Sequence, residues 1–231
     1  MQPNVPVIDL SVDARGRFIV RTYSHLVGAI LAFTALEVVF FSTGLAETMT
    51  RAMMGSKYAW LIVLGGFVVV SWLATHVAHI AESLPVQYAA LGGFVLAESI
   101  IFVPLLWIAN KVAGGQIIQS AALVTLVGFA GLTAIVFWTR KDFSFLRGIL
   151  CWGGVVALVL IVTSIFFGWH LGTWFSVGMI ALAGGAILYD TSNVLHHYAE
   201  DRYVGASLQL FASVALMFWY VLRLFLQRED D

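Results

Sequence analysis

Seven stretches of about twenty apolar residues, the length that spans a bilayer core of roughly 30 Å, follow one another along this chain. They run over 24–44, 58–80, 86–109, 116–138, 147–168, 171–195 and 203–226. Only 11% of the residues are charged, where a soluble domain carries about 25%. The mean hydropathy is +0.93, so polar surface is too scarce to cover a water-soluble globule. Lipid offers no hydrogen-bond partners to an open sheet, which leaves helices to cross it. The expectation is an all-α integral membrane protein with seven transmembrane helices.

The connections "LAETMTRAMMGSK", "HIAESLP", "KVAGGQ", "TRKDFSFLRG", "GWHLG" and "HHYAEDR" are too short for a separate soluble domain. The organisation expected is a polar N-terminal segment (1–23), one seven-span domain (24–226) and a short tail (227–231) in the lipid bilayer, as a monomer or weak oligomer. The polar start "MQPNVPVIDLSVDARGRF" has no apolar core for a signal peptidase, so the first span is read as retained. Net charge is −1, which gives no basic surface for nucleic acid. The single Cys151 excludes a disulfide framework and a cysteine metal cluster. Small residues in "VLGGF", "CWGGVVA" and "ALAGGAI" suit close helix packing. On seven spans, the N-terminal face gathers Arg15, Arg17, Arg21, Arg140, Lys141, Arg147 and Arg202. The other gathers Arg51, Lys57, Lys111, Arg223 and Arg228. That asymmetry favours a cytoplasmic N-terminus.

Ionisable groups at membrane depth call for a partner or a function. Glu37 lies in the first span, Glu98 in the third and Asp190 in the sixth. Acids without matching bases suit cations or protons better than anions. His76, His79 and Glu82 climb one helical face within an arc of about 120°. They read as a polar rim, a proton sensor or a zinc site, though helical zinc pairs are more often four apart. Asp190, Asn193 and His197 share a face within about 60°, with His197 roughly 10.5 Å further along the axis. Asp190 could instead cap its helix through Thr191, Ser192 or backbone groups. Gln209, Ser213 and Tyr220 form a polar stripe within about 40° on the seventh span, which should face the bundle interior. The sixth and seventh spans are joined by a short turn, so Asp190 and this stripe are expected to be neighbours.

The segment "LYDTSNVLHH", followed by "YVGASLQLFASVALMFWYVLRLF" and preceded by "RTYSHLVGAILAFTALE" at the first span, resembles the Bax inhibitor family in its bacterial form. The resemblance covers most of the chain, with its specific matches in residues 183–225. It implies six helices around a central, C-terminal seventh, and a pH-sensitive calcium leak across what would be a bacterial inner membrane. Calcium would be the transported ion, no cofactor is implied, and no enzymatic activity. The family's pH sensor pairs an aspartate in the sixth span with one in the seventh. The first maps onto Asp190. The second falls on Ser213, and the family's following asparagine on Leu216.

With Ser213 in place of the second acid, two carboxyls cannot share a proton there; a hydroxyl can donate to ionised Asp190 instead. Calcium, which prefers several oxygen ligands, finds fewer. In the third span "GGFVLAES" departs from the family's Thr-Gly-Leu-x-Leu-Ser-Pro, with Glu98 near the proline position. Glu98 or Glu37 could supply the missing charge, and otherwise each is expected to be hydrogen-bonded within the bundle. Two other classes compete. One is a non-transporting modulator of a membrane protease or stress-response partner. The other is a seven-span zinc hydrolase built from Ser71, His76, His79, Asp190, His196 and His197, whose spacings fit that chemistry poorly.

Overall fold

The computed structural model describes residues 5–80 and 83–229. Eight α-helices follow in order: α1 (Val12–Ser42), α2 (Leu45–Met54), α3 (Lys57–Ile80), α4 (Leu84–Ala113), α5 (Gln116–Thr139), α6 (Leu146–Phe167), α7 (Thr173–His196) and α8 (Tyr203–Glu229). Seven of them, all but α2, are long and apolar enough to cross a membrane. The all-α, seven-span architecture expected from the sequence is what the chain adopts.

Two features differ from the hydropathy pattern. The first helix begins at Val12, well before the apolar stretch, because Ser11 caps it by accepting from the Ala14 amide at 3.3 Å and Asp13 complements its amino end. At 31 residues it is about 46 Å long, so roughly 16 Å of it stands outside the hydrocarbon. The first connection also contains α2, ten residues whose Ala46, Thr50 and Met53 are buried at i, i+4 and i+7 and which packs on α4. Between α4 and α5 the chain reverses through Gly114 (φ 63°) and Gly115 (φ 84°), left-handed positions that strain any residue with a Cβ.

The hub is α8. It packs against α1, α3, α4, α5 and α7, and Val204, Ala206, Leu208, Leu210 and Leu222 are fully buried. The sixth helix packs on α7, and Ala157, Met179 and Tyr220 form a small cluster joining α6, α7 and α8. Without a hydrophobic drive between helices in lipid, shape governs this packing. A Cβ on Gly185 would lie 3.3 Å from a Leu150 methyl, and one on Gly184 would lie 3.4 Å from a Leu132 methyl. Bare backbone therefore lets α7 approach α5 and α6. Outward-facing Trp138, Trp152, Phe167 and Trp174 are largely exposed, as lipid-facing side chains are.

Candidate functional site

Asp190 lies six residues before the end of α7, and Ser213 ten residues after the start of α8. Both are buried. The Ser213 hydroxyl donates to Asp190 Oδ2 at 2.5 Å, so the sixth-span acid and the residue in the second acid's place meet across the α7–α8 interface. A carboxylate can accept about four hydrogen bonds, and a hydroxyl supplies one. Tyr220 of the polar stripe also faces α7, packing edge-on against Phe175 with ring centroids 5.9 Å apart. Gln209 is half-buried.

The end of α7 beyond Asp190 is covered. The Val7 amide donates to the Tyr198 carbonyl at 2.8 Å, and Pro6 bridges to Ala199, which lays the N-terminal segment across the α7–α8 connection. Val7 is fully buried, and the Phe18 and Tyr198 rings stack at 6.5 Å. Burial first, and then the neighbouring Asp190 and Tyr189, hold the Tyr198 phenol well above its usual range, so it stays neutral beside the acid. Tyr198 is not foreseeable from the residues, since its only mark in the sequence is its place directly after "LHH".

His197 is not part of this buried pair. Its Nε2 lies 3.4 Å from Asp142 Oδ2 in the α5–α6 connection, with both side chains about half exposed. Asn193 contributes through its carbonyl, which accepts from the His197 and Tyr198 amides. The same connection is pinned again where the Phe143 amide donates to Ser192 Oγ at 2.9 Å. Asp142 accepts from the Ser144 amide at 2.8 Å, and that bond first, with His197 and His196 nearby, holds its carboxyl below the ordinary range. A depressed carboxyl stabilises the fold at neutral pH, and that contribution is lost as pH falls below about 4. Asp142→Asn should therefore lower stability in detergent by under about 1 kcal/mol, since the pair is solvated. Thermal melts of the two proteins should converge in acid.

Glu98 is buried on α4. Glu37 is buried near the end of α1, and neither of its carboxyl oxygens has a hydrogen-bond partner. The internal hydrogen bond expected of it is therefore not made, because its surroundings are mostly apolar. On α3, His76 is exposed and stacks on Trp72 with centroids 5.5 Å apart. The side chain of His79 and the whole of Glu82 lie outside the described residues. Among the described residues, no three His, Cys, Asp or Glu side chains gather as a metal site. Among them too, α7 carries Asp190 and His196, while Ser71 and His76 belong to α3.

The family model described as "Inhibitor of apoptosis-promoting Bax1" matches residues 15–230. The chain is 33% identical over 196 residues to "Uncharacterized protein PA2604" of Pseudomonas aeruginosa, covering 83% of this chain and 84% of that one. It is 29% identical over 205 residues to "Modulator of FtsH protease YccA" of Escherichia coli (87% and 85% covered). Against "Protein LIFEGUARD 4" of Arabidopsis thaliana it is 29% identical over 226 residues (95% and 88% covered). The chain, a multi-pass integral membrane protein, belongs to the Bax inhibitor family.

Proposed function

We propose that the protein provides a proton-modulated pathway for cations, calcium first among them, with Asp190 as its gate. The observation that carries this reading is the buried Asp190 carboxyl bonded across the α7–α8 interface to the Ser213 hydroxyl. An ionised carboxylate at membrane depth is costly unless its remaining oxygen lone pairs are met. A passing cation meets them, and a proton removes the charge that attracts it. Either event changes what holds α7 to α8. Purified protein in liposomes should then show calcium flux that varies across neutral pH. Asp190→Asn should flatten that curve while leaving the protein folded, and an unaltered curve would remove Asp190 from the gate. The compensation idea is tested beside it: Glu37→Gln and Glu98→Gln each leave the pH response unchanged if neither supplies the missing charge.

A second reading is a modulator of a membrane protease, supported by the likeness to the E. coli modulator of FtsH over 87% of this chain. On this reading the bacterial inner membrane, with the N-terminus on the cytoplasmic face, is where the partner is met. It expects no flux in liposomes and slowed turnover of a model substrate when the chain is reconstituted with the FtsH protease.

A further inference from the structure

Between α1 and α5 lies a cavity of about 270 Å³, floored by α4 and α8. Its rim residues Gln119 and Leu126 are exposed, so it opens on the outer surface of the bundle rather than into the α7–α8 interface. Four phenyl rings (Phe33, Phe102, Phe211 and Phe218) line it. Into this apolar space the chain places Glu37, whose two carboxyl oxygens are buried without a partner, and Thr125, whose hydroxyl is buried without one as well. Three free acceptor atoms thus share one aromatic-walled pocket.

That combination selects its occupant. A lipid acyl chain would fill the volume but leave all three polar atoms unmet, each at the cost of a buried group without its hydrogen bond. A calcium or magnesium ion needs six or more oxygens, and phenyl rings offer none. A primary ammonium carries three donors and no acceptor, matches three free acceptors, and is attracted to aromatic faces. Ligand pockets start near about 300 Å³, so the ligand is small.

We propose that this cavity is a binding site for a small hydrophobic primary amine entering from the bilayer, held as an ammonium by Glu37 and Thr125 against the four phenyl rings. Whether the proton starts on the amine or on the carboxyl, the complex is the same ammonium–carboxylate pair, with no other bond made or broken. The site is separate from Asp190 and does not rest on the cation-pathway reading.

The test is equilibrium binding of tritiated phenylbutylamine to proteoliposomes, after subtraction of protein-free liposomes. Saturable binding of one molecule per chain is expected, displaced by unlabelled amine and not by phenylbutanol, its neutral counterpart of equal length. Glu37→Gln should weaken binding about tenfold or more, equivalent to about 1.4 kcal/mol. Ala122→Phe, which fills the cavity from α5, should abolish it. Circular dichroism and size exclusion confirm that each variant is folded. Absence of saturable binding, equal displacement by the alcohol, or unchanged affinity in Glu37→Gln or Ala122→Phe would each overturn the proposal.

Discussion

Ser213→Asp is expected to move the pH midpoint of calcium flux upward by about one unit or more. The hydroxyl already lies within hydrogen-bond distance of Asp190, so the new carboxyl arrives against the old one. Two ionised carboxylates about 3 Å apart repel by on the order of 5 kcal/mol, even at an effective dielectric constant of about 20. That exceeds what the packing of one side chain contributes, so the pair keeps one proton between them. The folded state then holds a proton that the unfolded chain releases above about pH 4. Stability of the variant should accordingly fall as pH rises from there toward the pair's own titration. Paired measurements of flux and thermal unfolding against pH check both halves. If each superimposes on the unsubstituted protein, the two side chains do not meet.

Phe102→Ala should give the largest loss of stability. Phe102 is 1% exposed, lies parallel to Phe218 at 5.5 Å, and meets Phe33 and Trp219 edge-on at 5.1 and 5.0 Å. It therefore ties α4 to both α1 and α8. In lipid the transfer of apolar surface counts for little between helices, and direct packing carries the association. Emptying this position costs lost dispersion contacts and a void that rigid neighbours cannot collapse into. The expected loss is about 3 kcal/mol, read by reversible unfolding in mixed micelles. Phe102→Leu, which keeps most of the volume, should lose less than half as much. Equal losses for the two would mean that ring geometry, not filled space, is what matters here.

Bilayer thickness made much of this fold legible in advance, because each crossing requires a run of one length and character, as at 116–138 against α5. The early start of α1 was hidden because its first turns lie outside the hydrocarbon and are polar, with Arg15 and Arg17 along them. The short α2 was hidden in a stretch that reads as a connection. The meeting of Asp190 and Ser213 could be anticipated from a family pattern and a stripe of spacing along α8. The pairing of His197 with Asp142 could not, since it joins a helix end to a distant connection and leaves no periodic trace in either. The cavity at Glu37 was equally invisible, because empty space follows from how four helices fail to fill a volume, which no single segment encodes.

The central position of α8 also bears on how the molecule is made. Every helix that α8 touches precedes it in the chain. During synthesis, at about 5–20 residues per second, six spans enter the membrane around a slot that nothing yet fills. Asp190 waits there without the hydroxyl that later meets it, Phe102 without Phe218, and Phe33 without Phe211. The bundle thus closes in a late, long-range step rather than span by span. Between insertion and closure, the half-built protein exposes its most polar interior to lipid and to whatever quality-control machinery surveys it.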